Sequence, residues 1–117
     1  MHRVIYEELK RVAREQSLTT YGAIAPLVGL NVGLRAHRNR LNEILRDIAI
    51  YEHQQGRPLL PVVVVLSQEG RPAQSFFKLA QGLGLYSGQS ELDALEFFSK
   101  EVARVHAAWR SDAADSG

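Results

Sequence analysis

The stretch TTYGAIAPLVGLNVGLRAHRNRLNEILRDIAIYEHQQ, residues 19–55, decides the fold of this chain. Thr20 is suited to cap a short helix, and Pro26 inside that helix imposes either a kink or a restart. A glycine-containing turn over residues 30–34 separates it from a long helix over residues 35–55. A short helix, a tight turn and a longer helix are the parts of a helix-turn-helix unit, so we predict one here.

The long helix is amphipathic, and its first turn is basic. Its apolar stripe consists of Leu34, Leu41, Ile44, Leu45, Ile48 and Tyr51. The second helix of a helix-turn-helix unit presents its first residues to a nucleic-acid groove, where arginine pairs with guanine and asparagine with adenine. We therefore predict a nucleic-acid-binding helix, with DNA as the ligand and Arg38 or Asn39 nearest the bases. The side chains predicted to contact phosphates are Arg35, Arg38, Arg40 and Arg46.

The flanking segments predict the rest of a winged domain. Residues 2–16 form a first amphipathic helix, and residues 59–66 include four consecutive valines, which favour a strand buried on both faces. A turn at residues 67–70 returns the chain into an edge strand at residues 71–74, giving a β-hairpin. A short helix capped by Ser75 follows. Three helices and then a hairpin is the order of a winged helix-turn-helix domain.

A last amphipathic helix runs from a cap at Ser90 to Trp109, outside that winged part. Its apolar stripe consists of Leu92, Leu95, Phe98, Val102, Val105 and Trp109. We expect this stripe to join the core. If the rest of the chain closes its own core, the stripe and Phe97 instead serve a protein partner or a homodimer. A protein-interaction module without DNA binding is therefore the alternative function.

The chain is predicted to be a single domain, mainly α with a small β-hairpin, winged helix-turn-helix-like, plus the C-terminal amphipathic helix. Its 117 residues are too few for two independent cores. We divide residues 1–110 into a winged-helix-like part over residues 1–84 and a C-terminal helix over residues 90–110. Residues 111–117 are small and polar, which predicts a flexible tail.

Charge and composition exclude several classes of protein. The formal net charge of +1 hides a basic first half, with nine Lys and Arg against six Asp and Glu in residues 1–60. The absence of cysteine excludes a disulfide framework, a zinc ribbon and a thiol nucleophile. The apolar runs are too short for a membrane and no signal peptide opens the chain, so we expect a cytoplasmic protein. No motif indicates a metal or a cofactor.

One group of residues offers a candidate small-molecule pocket. Glu52, His53 and Arg57 combine a carboxylate, an imidazole and a guanidinium, and Phe76 supplies an aromatic wall. Successive helix residues diverge by about 100°, so Glu52 and His53 do not face one point. We therefore expect a polar helix end, in which Glu52 or Arg57 anchors the turn by hydrogen bonds. An enzyme site is the weaker alternative.

Residues 5–84 resemble a known family. The segment YEELKRVAREQSLTTYGAIAPLVG, residues 6–29, resembles the start of the DNA-binding domain of O6-alkylguanine-DNA alkyltransferases and alkyltransferase-like proteins. In that family a "TTYGEIA" segment precedes a recognition helix with an arginine finger. Glu69-Gly70, with Phe76 downstream, looks like the family's wing. The resemblance implies a winged helix-turn-helix fold and phosphate contacts by Thr20 and Tyr21. It also implies an arginine finger at Arg38 or Arg40.

The catalytic motif of that family, P-C-H-R-V, is missing. Val62 stands at the position of the alkyl-accepting cysteine, and Val63 and Val64 stand at those of the following His and Arg. A valine side chain has no nucleophile, so alkyl transfer is excluded. The resemblance therefore leads us to expect a non-catalytic DNA-binding protein.

Overall fold

The first helix, α1 (Arg3–Arg14), forms on an apolar stripe. The computed structural model describes residues 1–110, and in it the helix predicted over residues 2–16 is confirmed with slightly shorter ends. The buried residues of α1 are Ile5, Leu9, Val12 and Ala13. On the exposed face, Arg11 pairs with both Glu8 and Glu15, at i−3 and i+4, which supports the helix locally.

A two-residue strand, β1 (Thr19–Thr20), leads into the short helix α2 (Tyr21–Ile24). The Thr20 hydroxyl accepts a backbone hydrogen bond of 3.1 Å from the first turn of α2, which confirms the predicted cap. Pro26 then stands in the first turn of a 3₁₀-helix (Ala25–Val28). The chain therefore restarts at the proline, where no helical N–H is needed.

The long helix α3 (Arg35–Gln54) is confirmed almost to the residue. Its buried side is formed by Leu41, Ile44, Leu45, Ile48, Ala49 and Glu52. Leu34, which we predicted on the apolar stripe, precedes the first turn of α3 and is 50% exposed. Gly56, with a φ of 74°, follows the helix in the left-handed conformation that ends many helices.

The valine-rich segment lies at the centre of the core but is only partly a strand. It forms a 3₁₀-helix (Leu60–Val63) and then a two-residue strand, β2 (Val64–Val65). Pro61 explains the difference, because its fixed φ favours a helical turn at the start of the segment. The 3₁₀-helix packs against both α1 and α3, and all four valines are buried. Burial on both faces, predicted from their sequence, is confirmed.

The predicted β-hairpin is wrong. Strand β2 pairs in parallel with β1, so its partner is the segment just before α2 and not residues 71–74. The paired residues are Thr19 with Val64 and Thr20 with Val65. The Leu66 N–H donates to the Arg71 carbonyl at 2.8 Å, but Pro72 has no N–H with which to continue a ladder. Within residues 1–110 the fold is mainly helical with one small parallel sheet.

Helix α4 (Gln74–Gly82) packs against α3 and carries aromatic residues into the core. Its N-cap residue is Ala73, so the cap predicted at Ser75 is wrong: Ser75 lies inside the first turn. The rings of Phe76 and Phe77 are both buried and meet edge to face, with 5.6 Å between centroids. An edge-to-face pair of this kind adds specific stabilisation to the area that the rings bury.

Helix α5 (Glu91–Ala108) begins as predicted, and the stripe residues Phe98, Val102, Val105 and Trp109 pack against the core as expected. The Ser90 hydroxyl accepts the Asp93 N–H at 3.1 Å, which confirms its cap. Phe97, predicted off the stripe, packs on Tyr86 with 5.0 Å between centroids. Two residues that we predicted in the core, Leu92 and Leu95, are instead 66% and 43% exposed.

A buried carboxylate adds a polar contact between α5 and the rest of the fold. Glu101 is only 2% exposed, and its Oε2 accepts the Leu59 N–H at 2.7 Å. Its Oε1 accepts a hydrogen bond from Arg104 at 3.0 Å. Together with Val105 one turn later, Glu101 therefore marks the side of α5 that faces the body.

No helix within residues 1–110 is long and apolar enough to cross a membrane. The tail predicted over residues 111–117 lies outside the described residues.

Candidate functional site

The turn between α2 and α3 is held by side chains of α3 itself. His37 Nδ1 accepts the Asn31 N–H at 2.9 Å, and Arg38 Nη1 donates to the Val32 carbonyl at 2.7 Å. These two bonds fix the start of α3 against the turn. Arg38 uses one guanidinium nitrogen for this bond and remains exposed, so its other donors face solvent.

One face of α3 carries Arg35, Asn39, Asn42 and Arg46 at steps of four, three and four residues. This spacing puts the four side chains in a row along the helix. Arg35, Asn39 and Arg46 are exposed and make no side-chain hydrogen bond or ion pair within residues 1–110. Their polar groups are therefore available to a ligand.

Arg40 lies apart from this row. It is five residues after Arg35, which places it roughly 140° around the helix. Its guanidinium pairs with Glu43 at 3.3 Å on the exposed surface. The structure therefore does not bring Arg40 together with Arg35 and Arg46, although the sequence analysis placed all three on one phosphate-binding surface.

A pocket of about 380 Å³ opens beside the row, between α3, α2 and α4. Among the residues that line this pocket are Tyr21, Asn39, Asn42, Arg46, Ser75 and Phe76. A second hollow shares Arg46 and Ser75 with this pocket and extends along the α3–α4 groove to Lys78. The structure thus gathers Tyr21, Asn39 and Arg46 from the predicted nucleic-acid set at one groove.

The pocket contains both a hydrogen-bond donor and an acceptor that the protein does not fully use. Burial raises the pKa of Tyr21, although a hydrogen bond with Ser75 partly opposes that shift. The Tyr21 hydroxyl therefore stays protonated at neutral pH and can donate. Asn42 Oδ1 is buried and has no hydrogen-bond partner within residues 1–110. A buried acceptor of this kind favours a ligand that brings an N–H or O–H group.

Thr20 has a structural task at the edge of this site. The Thr20 hydroxyl caps α2, and the Thr20 backbone pairs with Val65 in the parallel sheet. A phosphate contact by Thr20 therefore has to come from the proton of that hydroxyl, because the cap uses only an oxygen lone pair.

Glu52 and Arg57 form a cluster away from the groove. Arg57 donates to both carboxylate oxygens of Glu52, at 3.1 and 2.8 Å, and the Tyr6 hydroxyl donates to Oε2 at 2.9 Å. The guanidinium carbon lies 5.7 Å from the ring centroids of both Tyr51 and Trp109. Glu52 is completely buried, so these donors compensate its desolvation. The expectation that Glu52 and Arg57 anchor the helix end is confirmed.

The other two members of the candidate small-molecule pocket lie elsewhere. Phe76 lines the pocket between α3 and α4. His53 is half-buried, and its imidazole makes no hydrogen bond within residues 1–110. With both Glu52 oxygens already bonded, the four residues do not form a shared proton-transfer site.

The contacts of Tyr6 with Glu52 predict that this tyrosine ionises at a higher pH than an ordinary tyrosine. Burial, followed by the hydrogen bond and the charge of Glu52, raises the pKa of Tyr6 from 10.0 to about 12. Because the folded state holds the proton more tightly, the stability from this interaction is complete below pH 10.0 and declines as the pH rises toward about 12. We expect an alkaline titration of near-ultraviolet absorbance to show this late ionisation.

The control for that titration is Glu52→Gln, which removes the negative charge but keeps the size of the side chain. The Tyr6 step should move toward the ordinary tyrosine pKa in this variant, and Tyr6→Phe should lose that step and keep the late ionisation of Tyr21. A titration of Glu52→Gln that superimposes on that of the wild type would contradict the assignment.

Comparison with known proteins adds no relative. No protein-family model matches the chain, and no curated protein or solved structure matches it. Within residues 1–110, no group of three His, Asp or Glu side chains is arranged to hold a metal ion. The functional argument therefore rests on the groove.

Three groove residues were missed by the sequence analysis. Asn42 could have been found, because it completes the spacing of Arg35, Asn39 and Arg46 on α3. Ser75 and Lys78 come from α4, and no local pattern indicates that α4 packs beside this face of α3.

Proposed function

We propose that this protein is a small, non-catalytic nucleic-acid-binding protein that takes DNA along α3 and the α3–α4 groove. The observation that carries the proposal is the row of Arg35, Asn39, Asn42 and Arg46. The two arginines and Asn39 have no side-chain partner within residues 1–110, and Asn42 has an unpaired buried oxygen. Arginine and asparagine are the side chains that best combine phosphate binding with recognition of base edges.

The groove is mainly cationic, and the carboxylate that lines the pocket, Glu43, pairs with Arg40. Arg35 and Arg46 lie on α3, Lys78 lies on the facing side of the groove, and Arg38 is exposed at the start of α3. Four cationic contacts of this kind release condensed counterions, so affinity falls steeply with salt. The neutral Tyr21 hydroxyl at the groove is a suitable donor to a phosphate oxygen.

Base recognition, in this proposal, falls to the two asparagines. Asn39 is exposed near the start of α3, and Asn42 lies one turn further along the same face. An asparagine amide bonds both the N6 and N7 groups of adenine, which the exposed Asn39 can do directly, whereas Asn42 has to turn its buried Oδ1 outward. We therefore expect a preference for adenine-containing sites rather than binding by charge alone. The helix-turn-helix part of the family resemblance, from α2 to α3, remains part of this proposal, without the hairpin predicted for the wing.

A paired charge removal tests the proposal. Arg35→Ala combined with Arg46→Ala removes two phosphate contacts, which should weaken binding to duplex DNA by about 30-fold at 0.15 M salt. The matched control is Arg3→Ala combined with Arg14→Ala, which removes the same charge from exposed residues of α1, outside the row. We expect fluorescence anisotropy with a labelled duplex to show at most a small change for the control.

The outcome that would contradict the proposal is equally direct. If the two double variants bind with the same affinity, net charge rather than the α3 row drives association. Both variants change exposed side chains, so circular dichroism should show that their fold is retained.

The protein-interaction alternative is supported at another place. The exposed leucines of α5, Leu92 and Leu95, lie on a helix that carries no residue of the α3–α4 groove. This face is compatible with DNA binding elsewhere on the molecule, so the two functions need not exclude each other.

A further inference from the structure

The outward face of α5 is apolar or small along most of its length. Leu92 and Leu95 are 66% and 43% exposed. Ser99 and Ala103, one and two turns further along the same side, are exposed as well. Glu101 marks the opposite side of α5, where its carboxylate bonds to the body. This outward row, which we call the α5 face, is formed by Leu92, Leu95, Ser99 and Ala103.

Two opposite charges flank the α5 face on one side. Glu96 and Lys100 are four residues apart, both are exposed, and neither makes an ion pair within residues 1–110. The other charges of this part of α5 have partners. Glu91 forms an ion pair with Arg71, and Asp93 accepts a hydrogen bond from the Gln89 N–H. Arg104 donates a hydrogen bond to Glu101.

This arrangement of charges selects a particular partner. When two copies of a helix pair in antiparallel fashion about a two-fold axis, the same flank of each copy meets the other. Glu96 of one copy then faces Lys100 of the second copy, and the symmetry repeats the pair. In a parallel pair, opposite flanks meet, and these two residues do not face each other.

We propose that the α5 face binds the α5 face of a second copy of this chain, antiparallel, to form a symmetric dimer. The leucines of each copy cover the small residues Ser99 and Ala103 of the other, which lets the helices approach closely. Two Glu96–Lys100 ion pairs favour the antiparallel orientation of the two helices. One helix pair is a small interface, so association is weak and depends on concentration. The inference goes beyond the proposed function, because no residue of the α3–α4 groove takes part.

Charge exchange tests both the partner and the direction. Glu96→Lys places two lysines opposite each other twice in the dimer, and Lys100→Glu does the same with two glutamates. We expect sedimentation equilibrium to show a monomer–dimer equilibrium for the wild type and about 10-fold or greater weakening in each single variant. An equimolar mixture of the two variants should associate again, because every charge then faces its opposite. The double variant should also regain the wild-type behaviour.

The control is Asp47→Lys, which makes the same change of charge on an exposed residue of α3. It should leave dimerisation unchanged. A wild-type protein that is still monomeric at about 1 mM would overturn the proposal, and the α5 face would then serve a different partner. Single variants that dimerise like the wild type, or a mixture that does not associate, would overturn the antiparallel pairing. None of these results depends on DNA, so the dimer and the DNA proposal succeed or fail separately.

Discussion

Replacing Glu52 with alanine should cost about 3–5 kcal/mol of unfolding free energy, because it breaks a buried ion pair by removing one partner. Glu52 is fully buried, and it accepts hydrogen bonds from Tyr6 on α1 and from Arg57 after α3. Its loss leaves the Tyr6 hydroxyl and the Arg57 guanidinium without that acceptor. The total free energy of unfolding of a domain of this size is about 5–15 kcal/mol, so the variant should be marginally folded.

Urea unfolding followed by circular dichroism measures this effect as a lower midpoint with an unchanged slope. His53→Ala, at the next position, is the matched control and should remain within about 0.5 kcal/mol of the wild type, because that imidazole has no partner within residues 1–110. Glu52→Gln should fall between the two, because an amide oxygen still accepts one of the bonds. Equal stability of Glu52→Ala and His53→Ala would show that the cluster does not hold α1 to α3.

Replacing Glu101 with alanine should cost about 2–3 kcal/mol and loosen α5. The carboxylate accepts the buried Leu59 N–H at 2.7 Å, and that N–H has no substitute acceptor once the side chain is removed. The bond joins α5 to the chain just before the central valine segment. We therefore expect the amide protons of α5 to exchange faster with solvent, in addition to a lower unfolding midpoint.

The matched variant is Glu101→Gln, whose amide oxygen can still accept the Leu59 N–H. It should keep most of the stability and most of the protection of α5. Arg104→Ala removes only the second hydrogen bond of Glu101. It should have a small effect on stability, because the Arg104 side chain is 61% exposed. Hydrogen exchange in α5 that is unchanged by Glu101→Ala would contradict the role of this carboxylate in holding the helix.

The helices could be predicted from the sequence because their signals are local. The apolar spacing of α1 and α3 and the hydroxyl caps at Thr20 and Ser90 are complete within a few residues of chain. The sheet could not be predicted in the same way. Its pairing joins Thr20 to Val65, and β1 has only two residues, which is too short to show a strand pattern.

The face of α5 shows a different limit of sequence reasoning. Leu92 and Leu95 fit an apolar stripe as well as Val105 does, but they are exposed, whereas the polar residue Glu101 is buried. From the sequence, Glu101 is expected to face solvent, because acidic residues are almost never fully buried without a partner. Its partner, the Leu59 N–H, is distant in the chain and gives no local signal. Hydrophobic spacing therefore predicted the helix and its contact surface from Phe98 onward, and it was wrong only at Leu92 and Leu95.

The candidate site was predicted on α3 and missed on α4. Arg35 and Asn39 are visible as polar residues near the start of α3 and Arg46 near its middle, whereas Arg40 is separated from them only by helix geometry. Ser75 and Lys78 become neighbours of this face through packing of α4 against α3. The groove as a whole is therefore a property of the tertiary structure.

The salt dependence of DNA binding tests the central claim most directly. Anisotropy of a labelled duplex, titrated with the full chain at several salt concentrations, gives the slope of log affinity against log salt. Contacts by Arg35, Arg38, Arg46 and Lys78 predict a slope of about −3 to −4, falling to about −2 when Arg35 and Arg46 are both replaced by alanine. Absence of binding at low salt, or a slope that the double replacement leaves unchanged, would contradict DNA binding by the α3–α4 groove.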